Sequence, residues 1–450
     1  MGKIVIEKSA LPSILGKNDS IAIRGGKPLN GEVVVRGAKN AISKEMVAAL
    51  LTSEKCVLKN VPNIEDFEVV SNMIRAVGGE VARQKNGDIE IIAEDIHPVD
   101  KTELHKIAGK SRIPVLFAGP LLHRSGEAFI PELGGCRIGK RPVDFHMKAL
   151  AALGAKIEPI EKGFHITAEK LKGAKIVLDY PSVGATEQIL LAAVLAEGIT
   201  ELSNAAIEPE IMDLIAVLQK MGAIISVDTD RVITIQGVAA LHGYDHTVLS
   251  DRLETASWAC AAAATNGRIF VRGAKQYPLM TFLNKFRQVG GEFTISEEGI
   301  EFFRGRDLTS IAIETDVFPG FSTDYQQPFV VLLTQANGAS VIHETVYEKR
   351  FGFVEALNKM GAHIQVYREC LGGRTCRFGQ ANHEHSAVIT GLTKLTGAEI
   401  EIPDLRAGFS YAIAALTAEG ETTLKNIHHI YRGYENFTEK LKALGVVVID

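Results

Sequence analysis

The sequence repeats one pattern six times, and this repetition constrains the fold more than any other feature. Six segments combine the end of a helix, a glycine and a short apolar strand: MIRAVGGEV, ALAALGAKI, VLQKMGAII, KFRQVGGEF, ALNKMGAHI and KLKALGVVV. They recur roughly every 70 residues, which is longer than a solenoid repeat and close to a small subdomain. A glycine directly after a helix is typical of a left-handed C-cap. Each unit is therefore predicted to contain a helix with one buried face and a strand that follows it.

A second helix in every unit is small and apolar on nearly all sides. The six segments are NAISKEMVAALLT, IPVLFAGPLL, ATEQILLAAVLAEG, ETASWACAAAATNG, YQQPFVVLLTQANG and GFSYAIAALTAEG. Helices with this composition are buried, and short strands such as CVLKNV and TTLKNI lie between the two helices of a unit. The predicted fold class is α/β, with six units in two groups of three and a ligand cleft between the groups.

Composition narrows the classes of function. The chain has 450 residues, of which 46% are hydrophobic and 23% charged, so a globular protein of at least two domains is expected. The net charge of −5 argues against a nucleic-acid partner. We find no apolar segment of membrane-spanning length and no signal peptide, and we expect a cytoplasmic protein without a membrane partner.

The five cysteines are scattered, and their odd number argues against a disulfide framework. Cys370 and Cys376 lie in RECLGGRTCRF, and His383 and His385 follow soon after. The alternatives for this segment are a metal site and a polar surface hairpin, and we favour the hairpin, because the CxxC pairs of zinc sites are missing. No metal is predicted.

Charged residues at the helix starts differ from unit to unit, so the common fold does not explain them. Before the buried helices stand Lys39 with Asn40, Arg112, Arg252, Asp324 and Arg406; before the other helices stand Arg141, Arg432 and, nearby, Arg350. Helix amino ends attract anions, and guanidinium groups match phosphate and carboxylate oxygens. The pattern predicts an anion site for a ligand that carries a phosphate and a carboxylate group, or several phosphates. A phosphate-binding P-loop motif does not occur.

The segment PELGGCRIGKRP places Cys136 among glycines and next to Arg137, Lys140 and Arg141. Cations stabilise a thiolate, so Cys136 is predicted to be an accessible and reactive thiol. Asp324 in FPGFSTDYQ is interpreted either as a helix N-cap or as a base that faces the cations.

These motifs together resemble the enolpyruvyl transferases, and among them the bacterial UDP-N-acetylglucosamine 1-carboxyvinyltransferases of peptidoglycan synthesis. The segments that carry the resemblance run from about Ile23 to the end of the chain and are GAKNA, GGCRIGKRPVDFH, PSVGATE, NAAIEPEI, SDRLET, FPGFSTDYQ, ETVYEKRF, PDLRAG and RGYE. The resemblance implies a two-domain inside-out α/β barrel built from six repeated subdomains. One domain would comprise residues 1–38 and 251–450, and the other residues 39–250.

The resemblance also implies a reaction. The enolpyruvyl group of phosphoenolpyruvate would pass to the 3′-hydroxyl of UDP-N-acetylglucosamine with release of phosphate, the first committed step of peptidoglycan precursor synthesis. Cys136 would protonate C3, Asp324 would accept the hydroxyl proton and Asp404 would assist. No cofactor or metal is implied, and the two substrates are the only partners. The epoxide fosfomycin would attach to Cys136.

Contacts with the two substrates follow from the same motifs. Phosphate would lie against Lys39, Arg141 and Arg432, and the phosphoenolpyruvate carboxylate against Arg350 and Arg406. The nucleotide sugar would contact Asn40, Arg112, Arg141, Pro142, Val143, Asp144, Phe145, Ser182, Val183, Gly184, Asp324 and Val346.

Several positions depart from the family pattern: Lys140, Tyr180, Pro181, Lys349, Gly352, Phe353 and Tyr431. These departures leave two alternatives open. The acceptor could be another uridine nucleotide, as in nucleoside-antibiotic pathways, or the chain could be a catalytically silent sensor of nucleotide sugars.

Overall fold

The structure is a computed structural model that describes residues 19–99, 106–107, 111–131, 143–373, 376–379 and 381–449. Cys136, Arg141 and Pro142 therefore lie outside the described residues, as do Arg137 and Lys140. No helix within these ranges combines the length and the apolar character that crossing a bilayer requires.

Helices and short strands alternate along the described chain. The α-helices are α1 (Lys39–Ala48), α2 (Glu65–Ala76), α3 (Ala118–Ser125), α4 (Asp144–Ala152), α5 (Val183–Ala193), α6 (Pro209–Lys220), α7 (Arg252–Ala264), α8 (Met280–Val289), α9 (Thr323–Thr334), α10 (Val354–Lys359), α11 (Leu405–Thr417), α12 (His428–Tyr431) and α13 (Phe437–Ala443). The strands are β1 (Ser20–Arg24), β2 (Asn30–Val34), β3 (Cys56–Lys59), β4 (Glu80–Arg83), β5 (Ile89–Ile92), β6 (Glu127–Pro131), β7 (Lys156–Ile160), β8 (Gly163–Thr167), β9 (Lys175–Val177), β10 (Ile199–Ser203), β11 (Ile224–Val227), β12 (Ile233–Gln236), β13 (Asp245–Thr247), β14 (Arg268–Arg272), β15 (Gly291–Ile295), β16 (Gly299–Arg304), β17 (Ala312–Glu314), β18 (Gly338–His343), β19 (His363–Tyr367), β20 (Ser386–Gly391), β21 (Glu399–Glu401), β22 (Glu421–Lys425) and β23 (Val447–Ile449).

The described strands form six small sheets. Five have four strands, in the orders β21-β22-β1-β23, β11-β12-β10-β9, β13-β3-β5-β4, β15-β16-β14-β2 and β17-β18-β20-β19, and the sixth has the order β6-β8-β7. Each four-stranded sheet contains one parallel pair, and its other pairs are antiparallel. The fold is therefore mixed α/β.

The buried apolar residues form two separate hydrophobic cores. The first core contains buried residues between Ala38 and Val248. The second contains the segment Ile21–Val35 and buried residues between Leu253 and Val446. The chain passes between the cores at Gly37 and Ser250, and these two residues form an antiparallel bridge. Each core is covered by three of the six sheets.

The helices predicted to be apolar on all sides are buried, as expected. In the second core, α7, α9 and α11 pack pairwise against one another, and every residue of α7 is buried. The predicted C-cap glycines are also confirmed. A positive φ, between +81° and +118°, is found at Gly78, Gly154, Gly222, Gly290, Gly361 and Gly445.

Candidate active site

Buried helices from both cores begin close to one another. Asp251 is the N-cap of α7, and its Oδ2 accepts a hydrogen bond of 3.4 Å from the backbone N–H of Lys39, the first residue of α1. In the first turn of α11, Arg406 Nε lies 3.4 Å from Oδ2 of Asp324, which is in the first turn of α9. Amino ends of helices carry partial positive charge, so this region favours anions before any side chain is counted.

Asp324 lies between two arginines. Arg350, whose side chain is only 2% exposed, donates a hydrogen bond to Oδ1, and Arg406 approaches Oδ2. The interpretation of Asp324 as a helix N-cap is wrong. Ser322 caps α9, and its Oγ accepts a hydrogen bond of 3.3 Å from the backbone N–H of Asp324. The Asp324 carboxylate is thus oriented by the two guanidinium groups rather than by the helix end.

Asp404 interacts with both of these arginines. As the N-cap of α11 it accepts hydrogen bonds from the backbone N–H groups of Arg406 at 2.9 Å and Ala407 at 3.1 Å. Burial alone would lower the pKa of Arg350, but the charges of Asp324 and Asp404, with that of Glu344, raise it above its usual value. Arg350 therefore remains a cation although it is buried.

The second arginine of this cluster is held by a tyrosine. Arg406 Nη1 donates a hydrogen bond of 2.6 Å to Oη of Tyr434. Burial raises the pKa of Tyr434 to about 12, so the phenol is neutral near pH 7. Tyr434 follows Arg432 in the RGYE segment, and its role was not predicted, because in the sequence it counts only as one apolar residue of a helical stripe.

A carboxylate that the sequence did not indicate connects the two cores. Asp66 in the first turn of α2 binds Lys39 Nζ through Oδ2, and its Oδ1 lies 3.6 Å from Nη2 of Arg432. Arg432 Nε is also 3.9 Å from Oε2 of Glu65. Burial raises the pKa of Asp66, but Lys39 and Arg432 outweigh this effect, and the pKa is lowered. Acidic residues are common in the first turn of a helix, and therefore no sequence signal marked Asp66.

One group of residues predicted to bind the nucleotide sugar lies at two neighbouring helix starts of the first core. Val143 is the residue before α4, which begins with Asp144 and Phe145. Ser182 is the N-cap of α5, the helix that begins with Val183 and Gly184. A Cβ atom at Gly184 would lie 3.0 Å from Nε2 of His146, so the two helix starts are in contact. A larger residue than glycine would separate them.

Val346 connects this region with the second core. Its backbone N–H donates a hydrogen bond of 2.8 Å to Oε1 of the buried Glu344, and its carbonyl oxygen accepts one from Arg377. The Arg377 guanidinium also lies 4.3 Å from the centre of the Tyr180 ring, in the first core. Tyr180 stands shortly before Ser182, so the cation–π contact brings the two groups of predicted residues together across the core boundary.

Asn40 and Arg112 each lie at the start of a helix in the first core. Asn40 is in the first turn of α1, where its carbonyl oxygen accepts a hydrogen bond of 2.7 Å from Nζ of Lys44. Arg112 is half-buried and precedes the short 3₁₀ helix Ile113–Phe117.

Arg252, which also stands at the start of a buried helix, is paired within the protein. Its guanidinium group is paired with both carboxylate oxygens of Glu210, at 3.0 and 3.2 Å, and with Oη of Tyr325 at 2.8 Å. Glu210 lies in α6 of the first core, so Arg252 serves a buried contact between the cores.

A cavity of about 600 Å³ lies elsewhere, between the segment that contains Arg24 and Lys27 and the last strand. None of the predicted site residues lines it. The helix ends described above are the better candidate for the site, because they bring the predicted cations and carboxylates of both cores together.

Comparison with known proteins gives the same family by two routes. Residues 23–441 match the family model of EPSP synthase (3-phosphoshikimate 1-carboxyvinyltransferase). A protein of Protochlamydia amoebophila named UDP-N-acetylglucosamine 1-carboxyvinyltransferase is 50% identical over 440 residues, which are 96% of this chain and 94% of the relative. A protein of the same name from Chlamydia pneumoniae is 47% identical over 425 residues, 93% of this chain and 92% of the relative.

Solved structures resemble the fold at lower sequence identity. The enolpyruvyl transferase NikO from Streptomyces tendae superimposes with a TM-score of 0.84 at 22% identity and covers 96% of this chain and 98% of its own. EPSP synthase from Acinetobacter baumannii has a TM-score of 0.74 at 20% identity and covers 96% of this chain and 100% of its own. At these identities the likeness concerns the fold alone.

Proposed function

The chain belongs to the EPSP synthase family of enolpyruvyl transferases, and from this membership we propose that it transfers the enolpyruvyl group of phosphoenolpyruvate to the 3′-hydroxyl of UDP-N-acetylglucosamine, with release of phosphate. The observation that carries the proposal is the 50% identity over 96% of the chain to a relative named for this reaction. The product would enter peptidoglycan precursor synthesis. The cluster of buried cations and carboxylates at the helix ends provides the matching chemistry.

The proposed architecture has two domains that close on the substrates. One comprises residues 1–38 and 251–450, the other residues 39–250, and each is built from three α/β units in an inside-out barrel. Two observations support it: the separate hydrophobic cores and the three sheets that cover each of them. Closure would exclude water and strengthen the electrostatic contacts in the site.

Phosphoenolpyruvate would bind through its two anionic groups. Its phosphate would lie against Lys39 and Arg432, together with Arg141, which is outside the described residues. Lys39 and Arg432 belong to different cores and share Asp66 as a partner, so a phosphate between them would replace one anion by another. The carboxylate would bind Arg350 and Arg406 beside Asp324.

The reaction needs two proton transfers before phosphate leaves. As the sugar 3′-oxygen attacks C2 of phosphoenolpyruvate, Cys136 would give a proton to C3 and Asp324 would accept the hydroxyl proton. In the elimination the bond from C2 to the phosphate oxygen breaks and the C2–C3 double bond re-forms. The proton that C3 loses would return to the Cys136 thiolate with the help of Asp324, whose own proton would leave with the phosphate. Each positioned acid or base contributes about 10²–10⁴-fold. Arg350 and Arg406 support this role, because they orient the Asp324 carboxylate, and Asp404 would act through Arg350.

The acceptor would lie mainly against the first core. Uridine would contact Arg141, Pro142, Val143, Asp144 and Phe145, and the sugar Ser182, Val183 and Gly184, with Asn40, Arg112, Asp324 and Val346 completing the site. Neither another uridine nucleotide as acceptor nor a silent sensor is favoured. Several relatives between 44% and 50% identical carry the name of the same enzyme.

Phosphate release with separate and combined substrates tests the proposal. Phosphate is expected only when phosphoenolpyruvate and UDP-N-acetylglucosamine are both present, and the new product should carry one enolpyruvyl group. UMP and UDP-glucose serve as control acceptors. Release with a control acceptor but not with UDP-N-acetylglucosamine would show that the acceptor is wrong. Binding of both substrates without any release would favour the sensor.

A further inference from the structure

Four side chains that can ligate a metal converge beside the hairpin between β19 and β20. They are His343, Cys370, Cys376 and His385, and their ligand atoms all lie within 4.8 Å of one another. We propose that they form a structural site for one zinc ion. The sequence suggested only a polar hairpin here, because the fourth member, His343, lies at the end of β18, far from the other three along the chain.

The distances fit a tetrahedral metal site better than a disulfide. Cys370 Sγ lies 3.7 Å from Cys376 Sγ and 3.3 Å from Nε2 of His385. Zinc bonds of about 2.3 Å to sulfur and 2.0–2.1 Å to nitrogen separate tetrahedral ligands by about 3.3–3.8 Å. A disulfide requires sulfur atoms about 2.05 Å apart, and both cysteines are free.

Neighbouring backbone groups orient two of the ligands. His385 Nδ1 is 2.8 Å from the carbonyl oxygen of His383, so this nitrogen is the donor and Nε2 presents its lone pair to Cys370. Metal-bound histidines characteristically use their second nitrogen in this way. The backbone N–H of Phe378 donates a hydrogen bond of 3.3 Å to Cys376 Sγ, which stabilises a thiolate.

His343 gives an independent indication of a ligand. It is 0% exposed, and among the described residues neither ring nitrogen has a hydrogen-bond partner, although Nδ1 lies 3.5 Å from Oε2 of Glu314. Leaving a buried polar group unpaired is costly, and a metal bond would satisfy it.

Gly372 allows the hairpin to lie against this histidine. A Cβ atom at position 372 would be 2.0 Å from Nδ1 of His343 and 2.4 Å from Oε2 of Glu314. The backbone N–H of the next residue, Gly373, donates a hydrogen bond of 3.2 Å to the same carboxylate oxygen. These contacts hold the hairpin against the ends of β17 and β18, where the four ligands meet.

The ligand set specifies the metal and its role. Two thiolates and two imidazoles in a tetrahedron are typical of closed structural zinc sites, which keep no position open for a substrate. The site is thus separate from the reacting groups. Cys376 is followed directly by Arg377, whose guanidinium contacts the Val346 carbonyl and the Tyr180 ring. A zinc ion that holds Cys376 in place would therefore also stabilise this contact between the two cores.

Metal content and cobalt spectroscopy test the site on the full chain. Protein purified under reducing conditions without chelator or affinity tag is expected to contain about one zinc ion per chain. After zinc is exchanged for Co²⁺, thiolate-to-cobalt charge transfer and intense tetrahedral d–d bands are expected. Cys376→Ser and His385→Gln should each weaken metal affinity by at least about tenfold. His383→Gln is the matched control, because only its backbone takes part, and it should bind metal normally.

Three results would overturn the proposal: substoichiometric zinc with a cobalt spectrum that lacks thiolate bands, a Cys370–Cys376 disulfide in the reduced preparation, or equal metal binding by His385→Gln and His383→Gln. Circular dichroism of each variant confirms that the chain is folded. None of these measurements uses a substrate. Their outcome is therefore independent of the proposed enzymatic function, and a failure of either proposal leaves the other standing.

Discussion

Single carboxylates organise the cations of the candidate site. Asp66 joins Lys39 of the first core to Arg432 of the second, and Asp324 joins Arg350 to Arg406. An isolated buried cation is strongly disfavoured, whereas a paired one is tolerated. The carboxylates thus keep the cations in place, and each of these residues can be tested for a functional rather than a structural role.

Replacing Arg432 by alanine is expected to impair turnover far more than folding. The side chain is 18% exposed and lies at the core boundary, so its removal leaves no large cavity. Loss of a charge-assisted contact with phosphate costs about 1.5–3 kcal/mol, which corresponds to a decrease in kcat/KM of roughly 10- to 150-fold. Phosphate release and thermal unfolding measure the two effects. Arg268→Ala, which removes an exposed arginine of β14, is the control, and wild-type kinetics in Arg432→Ala would contradict the phosphate assignment.

Cys136 is expected to react with an alkylating agent before any other cysteine. Burial raises the pKa of Cys56 to about 12 and that of Cys260 well above its usual value, so both remain unreactive thiols. Bound zinc would protect Cys370 and Cys376. Peptide mapping after brief labelling identifies the modified residue, and Cys136→Ser should lose the label and most of the turnover. First labelling of another cysteine, or normal turnover in Cys136→Ser, would rule out its role as the acid.

At the scale of helices and strands, local chemistry was predictable and partners distant in sequence were not. Apolar composition predicted the buried helices, and the glycines predicted the left-handed caps of the other helices, because both features depend on neighbouring residues. The helix starts identified Asp324 and Arg406, which are in contact. Asp66, Glu344 and His343 were missed, since their importance arises from residues that only the tertiary structure brings near them. For the same reason the sequence did not indicate that Arg252 pairs with Glu210, which is on another helix.

The contact between α1 and α5 predicts a pH effect on stability. Glu187 Oε1 lies 3.4 Å from Nζ of Lys44, and burial raises the pKa of Glu187 to about 7 from 4.5, although Lys44 opposes the shift. The folded chain therefore binds an extra proton between these values, and its free energy of unfolding falls as pH rises through them. Glu187→Gln should abolish this component, which amounts to about 3 kcal/mol.

Denaturant unfolding of wild type and Glu187→Gln between pH 4.5 and 8 measures this difference. The stability of the variant relative to wild type should increase up to about pH 7 and then remain constant. Glu201→Gln, at a partly exposed position of β10, is the control. Parallel pH curves for wild type and Glu187→Gln would mean that folding does not raise the pKa of Glu187.

Across the whole molecule, polar contacts connect two cores that are hydrophobic within themselves. Arg252 and Glu210 form a buried pair across the boundary, and Arg231 of the first core donates a hydrogen bond to the carbonyl of Phe318 in the second. Polar contacts can be rearranged with less loss of apolar burial than a packed interface, so this boundary suits a molecule whose halves move relative to each other.

Breaking the Arg252–Glu210 pair is expected to cost much more than removing it. Arg252→Met leaves the Glu210 carboxylate buried without its partner, and Glu210→Met does the same to the guanidinium group, each at a cost of about 3–5 kcal/mol. The double variant Arg252→Met with Glu210→Met should be far less destabilised than the sum of the two single variants. Urea unfolding of all four proteins gives the coupling energy. Arg24→Ala, which breaks an exposed pair with Glu421, should change stability by less than about 1 kcal/mol. Additive single effects would show that the pair is not coupled.

The bridge between Gly37 and Ser250 also marks the order in which the two cores can fold during translation. The residues between these two positions contain the whole first core, so that core can be completed while the ribosome is still translating the later residues. The second core cannot be completed until later residues have been translated. Its strand β1 precedes the first core in the chain but pairs with β22 and β23, and neither exists until translation has passed Glu421. The earliest described strand of the chain is therefore among the last to find its partners, and the half of the molecule inserted between β2 and α7 is the half that can be finished first.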